Sequence, residues 1–208
     1  MQLAGDFEAH FTVRCYGDAD IEALACYADH HGLKFAHIVL DRGRVPSQPM
    51  LTLRMKGTFT QARSKAEHTA DALRVDGFLV SRTKIEAAPW NEGVPASDAE
   101  ADGLCYFEHH IKLLLDPGDD TAALAETVVP RCAHLSRNAR RVRADGRSER
   151  FVTQRCHRVG ARTAGQRLDA LTSVLRASGH HIASVEREFV VFDGNASLDD
   201  GWITEGAP

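Results

Sequence analysis

Two short stretches one hundred positions apart, "FEAHF" (7–11) and "FEHHI" (107–111), write Phe-Glu-x-His-apolar twice. Further matches follow in the same order. "MLTLRMKG" (50–57) lies against "FVTQRCHR" (151–158), pairing Thr52 with Thr153 and Arg54 with Arg155. "LRVDGFLVSRTKIEA" (73–87) lies against "LRASGHHIASVEREF" (175–189), pairing Gly77 with Gly179 and Glu86 with Glu188. The offset drifts only from 100 to 102. A repeat of this kind constrains the fold strongly, because each copy must be one supersecondary unit.

The first unit parses by periodicity. "FEAHFTVRC" alternates Phe7, Ala9, Phe11 and Val13 against Glu8, His10, Thr12 and Arg14, the pattern of a half-buried strand. "DADIEALACYADHHG" is an amphipathic helix with Asp18 or Asp20 as its cap and Gly32 as its stop. "KFAHIVL" and "MLTLRMK" are strands separated by the turn "DRGRVPSQP". "TQARSKAEHTADALRVDG" is a second helix, with Ala62, Ala66, Ala70 and Leu73 facing inward, and "FLVSRTKIEA" is the fourth strand. The second unit runs through strand "LCYFEHHIKLLL", a helix in "DDTAALAETVV" broken at Pro130, strands "ARRVRA" and "RFVTQRCH", a helix "TAGQRLDALTSVLRAS" with a Thr163…Gln166 capping box, and strand "IASVEREFVVF".

The expected fold class is therefore α+β: two tandem ferredoxin-like units of order β-α-β-β-α-β, related by internal duplication, each an antiparallel sheet with its helices on one face. The first unit spans residues 1–88, a Pro-, Gly- and acid-rich linker 89–103, the second unit 104–195 and a C-terminal tail 196–208. Two separate sheets are expected to meet across an approximate two-fold axis.

Composition narrows the function classes. A net charge of −4 and a pI near 6.2 give no general nucleic-acid-binding field, and no apolar run is long enough to cross a bilayer. The start of the chain lacks a secretory pattern, and five scattered cysteines form no C-x-x-C pair, so a cytoplasmic location with reduced thiols is expected. P-loop, dinucleotide and nucleophile-elbow motifs are all missing.

The chemistry lies on the polar faces of the strands. Opposite the helix-facing residues stand Glu8, His10 and Thr12 beside Arg54 and Lys84. The second unit offers Glu108, His110 and Lys112 beside Arg155. Arginine and lysine suit a small anionic, phosphorylated ligand, and histidine suits proton transfer near neutral pH. Arg54 and Arg155 are expected to lower the pKa of the histidines by like-charge repulsion. A face laced only with cross-strand ion pairs is the plain alternative.

"AHFTV" (9–13) resembles the H-x-T strand motif of the two-histidine phosphoesterase superfamily. That resemblance implies His10 and His110 as a catalytic acid and base on a phosphodiester, with Thr12 on the phosphate. In the second copy Lys112 stands where a hydroxyl belongs.

Other features are weaker. His10, His37, His110 and Glu8 are possible metal ligands, but no local ligand spacing is present, so the sequence assigns no metal and names no cofactor. "HLSRNARRVR" (134–143) is a candidate anion anchor, and Trp202 reads as an apolar latch for the tail. The expected partners are a small anionic ligand and, as an option, further copies of the chain. General nucleic-acid binding and membrane association are not expected. A phosphodiester-cleaving enzyme and a non-catalytic oligomeric module whose sheet faces pair between copies are the rival functions.

Overall fold

A computed structural model describes residues 2–140 and 143–203. The first half comprises β1 (Ala4–Arg14), α1 (Asp18–His31), β2 (Lys34–Leu40), β3 (Ser47–Thr58), α2 (Phe59–Val75) and β4 (Leu79–Ala87). The second comprises β5 (Tyr106–Leu115), α3 (Thr121–Val128), β6 (Ala133–Asn138), β7 (Ser148–His157), α4 (Ala161–Ala177) and β8 (His181–Asp193). This is a mixed α/β chain with antiparallel strand pairing throughout, and both halves follow the expected order of elements.

The sheets differ from expectation in one decisive respect. They do not stay separate but close into a single eight-stranded barrel of order β1-β3-β2-β6-β7-β5-β8-β4. Each half keeps the order 4-1-3-2, and the edge strands fuse: β2 pairs with β6 and β4 with β8. Four free edges, each a row of unpaired backbone groups, are removed by this closure. It also turns both polar faces inward within one chain, which overturns the expectation that these faces pair between copies.

Alternation decides which side faces in. Phe7, Ala9, Phe11 and Val13 of β1 point outward and pack with Leu24 and Ala28 of α1 and with Ala62, Ala66, Ala70 and Leu73 of α2. Ile111, Leu113 and Leu115 of β5 pack in the same way with Leu124 and Val128 of α3 and with Leu168, Leu171 and Leu175 of α4. The apolar cores thus lie between barrel and helices, and the barrel interior is left to polar side chains.

Several local expectations shift. The second strand of the second half lies at Ala133–Asn138 rather than "ARRVRA". It starts straight after Cys132, whose left-handed φ of 53° reverses the chain, so "AHLSRN" reaches the sheet first. Residues 141 and 142 of that stretch, and residues 204–208 of the expected tail, lie outside the described residues. Helix α1 has Gly17 at its N-cap with no side-chain cap, because Asp20 accepts from the Tyr16 amide instead. Its stop is as expected, with Gly32 at φ 65°. In α4 the Thr163…Gln166 box is not formed. Thr163 Oγ1 donates to Asp98 of the linker, which also accepts from the Gly160 amide. A capping box forms instead at α2, between Thr58 and Gln61.

Candidate functional site: the interior of the barrel

On β1 the inward residues are Glu8, His10 and Thr12, and on β5 they are Glu108, His110 and Lys112. The strand register sets their partners. His10 lies opposite Thr52 and His110 opposite Thr153, and each imidazole Nδ1 stands 2.9 Å from the threonine Oγ1. The other ring nitrogens face carboxylates. His10 Nε2 is 2.7 Å from Glu86 Oε2, while His110 Nε2 is 3.2 Å from both Glu108 and Glu188. Carboxylate oxygens of Glu86 and Glu188 lie within 4.8 Å of each other. A continuous chain of contacts therefore runs Thr52–His10–Glu86–Glu188–His110–Thr153, with each half of the protein supplying one half of it.

Buried cations hold this carboxylate-rich centre together. Lys84 Nζ lies 2.5 Å from Glu86 and 2.6 Å from Glu108. Arg155 is bound by Glu108 and, at 2.6 Å, by Asp199. Arg82 is bound by Asp193 and, at 2.9 Å, by Asp199. Every one of these three cations thus has two carboxylates, and none is left over for an external anion.

The acid–base behaviour follows from the same contacts and reverses the sequence-based expectation. Burial pulls the His10 pKa down, but the charge and hydrogen bond of Glu86 outweigh it and the pKa is raised. Burial also opposes protonation of His110, yet hydrogen bonds to Glu108 and Glu188 raise its pKa to about 10. Neither Arg54 nor Arg155 governs them; glutamates do. Glu86 and Glu108, though buried, are held well below the usual carboxylate range by Lys84 and by Arg155 with Lys84, respectively. Glu188 goes the other way, to about 7, through burial and the neighbouring charge of Glu86.

Of the residues expected at the site, Glu8, His10, Thr12, Lys84, Glu108, His110, Lys112 and Arg155 line one cavity. Arg54 does not. It matches Arg155 in position, but 74% of its side chain is exposed at the barrel's rim, where it pairs with Glu8 at 2.8 Å. In the basic run 134–143, residues 141 and 142 lie outside the described residues, and two of its arginines are engaged with side chains of the protein. Arg140 pairs with Glu22 and covers the Phe35 ring, and Arg143 pairs with Asp145 and Glu149.

Two groups of site residues escaped the candidate set. Glu86 and Glu188 were visible as aligned partners in the repeat, but nothing in periodicity distinguished them from other strand carboxylates. Asp199 and Trp202 lie beyond the repeat, in a short 3-10 turn (Ala196–Asp199) and the residues after it. Asp199 binds Arg82, Arg155 and the Gln48 side chain, and Trp202 donates its Nε1–H to the Leu135 carbonyl. Together they seal the end of the barrel where β8 finishes. Thr12, Leu40, Gln48, Arg82, Asp199 and Trp202 are all buried there. At the opposite end Lys34 and Glu186 are exposed, and Lys112, Asn138 and Phe151 are half-buried. That end is the mouth.

The cavity measures about 190 Å³. Most of its charged residues come from β1, β4, β5 and β8, while β2, β3 and β7 bring Ala36, Ile38, Leu40, Met50 and Phe151 together with Lys34, Gln48, Thr52, Thr153 and Arg155. Eight strands give an interior just wide enough for side chains or one small ligand.

No protein-family model and no curated protein matches the chain. Among solved structures it is similar to the acetolactate synthase small subunit from Thermotoga maritima, at 11% identity over 90% of this chain and 95% of that one, with a TM-score of 0.30. A likeness that weak carries no argument about this protein. Among the described residues, no helix is long and apolar enough to cross a membrane.

Proposed function

We propose that the barrel interior binds one small anionic, phosphorylated ligand, admitted at the mouth between Lys34, Lys112 and Phe151. The observation that carries this reading is the convergence of residues from both halves on one enclosed cavity lined by charged and apolar side chains. A cavity of about 190 Å³ is below the roughly 300–1,000 Å³ of drug-sized sites, so the ligand is small. That mixed lining favours a molecule with an anionic head and a short apolar body. Lys112 supports the anionic end: its nearest carboxylate, on Glu149, is 3.9 Å away, and its ammonium lies 5.4 Å from the Phe151 ring centre.

The two-histidine phosphodiester reading is less favoured. That motif needs a hydroxyl in each half, and Lys112 stands where the second one belongs, while both histidines face glutamates that hold them protonated. We also read the halves as copies of one ancestral unit, residues 1–88 and 104–195 joined by the linker 89–103. The matched pairs His10/His110, Thr52/Thr153 and Glu86/Glu188 support it. Five free cysteines suit a reducing, cytoplasmic setting.

The test is calorimetric titration with short alkyl and aryl monophosphates beside the matching carboxylates and alcohols. Phosphate-dependent binding, weakened about tenfold or more in Lys112→Met, is expected. Absence of binding, or binding indifferent to Lys112→Met, sinks the reading.

A further inference from the structure

The buried cations pose a problem for any anionic ligand. Arg82, Lys84 and Arg155 are each committed to two carboxylates. An anion entering the barrel would meet glutamates at its centre unless a further positive charge stood there.

The centre has the donors to hold one. Ligand atoms of Glu86, Glu108, His110 and Glu188 all lie within 4.8 Å of one another, and so do those of Glu8, His10 and Glu188. These are mixed imidazole and carboxylate donors delivered by four different strands, not a patch of acidic surface. The two sets share Glu188 and use the repeated Glu-x-His of β1 and β5.

Two further observations point to a cation. Each histidine has its Nδ1 on a threonine hydroxyl, His10 on Thr52 and His110 on Thr153, at 2.9 Å. With the hydroxyl accepting from Nδ1–H, such a contact orients the imidazole with Nε2 toward the carboxylates, as an outer-shell partner does at a metal, and it occurs twice. In addition, Glu86 is 2% exposed and its Oε1 accepts no hydrogen bond. Among the described residues its one charged partner is Lys84 Nζ at 2.5 Å, so a cation already sits at that oxygen.

We infer that the centre of the barrel is a divalent-cation site, with Glu86, Glu108, His110 and Glu188 as ligands and Glu8 and His10 forming an adjoining position that shares Glu188. Imidazole with carboxylate suits Mn²⁺, Fe²⁺ or Zn²⁺. Lys84 is the counter-ion of the metal-free state, and its long flexible stem lets the ammonium swing aside when a metal enters. Resting on the ligand reading above, the cation supplies the charge that would hold a phosphoryl group against the glutamate wall.

The test uses metal alone, with no phosphorylated compound present. Protein purified without chelator is assayed for bound metal, then stripped and titrated with Mn²⁺ and Zn²⁺ by calorimetry. One or two equivalents per chain are expected, with affinity reduced about tenfold or more in Glu188→Gln, His110→Gln and Thr153→Val. Lys84→Met is expected to bind metal more tightly, because its competitor is gone. The inference is overturned if wild-type protein holds no metal and binds neither ion at about 1 mM. Uptake unchanged by Glu188→Gln and His110→Gln, which signals surface binding, overturns it as well. The wild-type measurement stands even if a variant fails to fold. Metal binding without phosphate binding would keep this inference and drop the ligand reading; phosphate binding without metal would do the reverse.

Discussion

Glu86 and Glu188, matching residues on the last strands of the two halves, bring carboxylate oxygens within 4.8 Å of each other across the β4–β8 seam, and each holds the histidine of its own half. Two carboxyl groups so close cannot both ionise cheaply, so one keeps a proton well into the neutral range. The seam that closes the barrel is therefore also where the two histidine systems are coupled.

Stability is expected to fall as pH rises from about 6.5 to 10; at lower pH His134, its pKa lowered by burial to about 4, offsets the loss from Glu188. Glu188 is raised from 4.5 to about 7, so its contribution is complete below pH 4.5 and is lost as pH climbs through 7. His110 is raised from 6.5 to about 10, so its contribution is complete below 6.5 and is lost toward 10. Glu86 and Glu108 are lowered and contribute above 4.5, losing their effect only in acid. Thermal melts of metal-free protein across this range should show the decline. Glu188→Gln should flatten its acid-side part and His110→Gln its alkaline part. A melting temperature that rises from about pH 6.5 to 9 would contradict the assignment.

Arg54 and Arg155 occupy matching positions but should behave as opposites. Arg155→Ala strips a partner from buried Glu108 and Asp199, at a cost of about 3 kcal/mol or more. Arg54→Ala loses an exposed pair, for less than about 0.5 kcal/mol. Urea unfolding of both variants measures the contrast, and similar costs would refute it.

Thr52→Val and Thr153→Val each delete one hydroxyl partner of a histidine, at about 1 kcal/mol apiece. If the halves are equivalent at their centre, the two losses agree within about 0.5 kcal/mol. Chemical denaturation of each variant, metal-free, decides it.

The two tryptophans report on the closed end. Trp90 is 73% exposed and Trp202 5%. Acrylamide should quench Trp202 weakly in Trp90→Phe and Trp90 strongly in Trp202→Phe. Equal quenching would mean that Trp202 does not seal the barrel.

Much of this was legible beforehand, and the reasons are physical. Period-two alternation in "FEAHFTV" fixed which residues turn inward, and the repeat brought His10 and His110 to equivalent places. Closure of the barrel was not legible. It depends on β2 meeting β6 and β4 meeting β8, and edge pairing is made by backbone groups that every sequence carries. The same blindness explains Arg54. Its alternation marks it as inward-facing, but only the closed barrel shows that it sits at the rim while Arg155 is deep. Asp199 lies in an irregular segment with no period, so nothing local announces that it neutralises two arginines.

The turn carrying Asp199 and Trp202 makes the barrel a cup rather than a tube. A cup has one door. Whatever enters must leave by the same route, so two molecules cannot queue through it and departure must precede the next arrival. A chain molecule cannot be threaded past the centre and worked on in its middle. It can offer only an end, inserted to a fixed depth against the floor made by Arg82, Asp199 and Trp202.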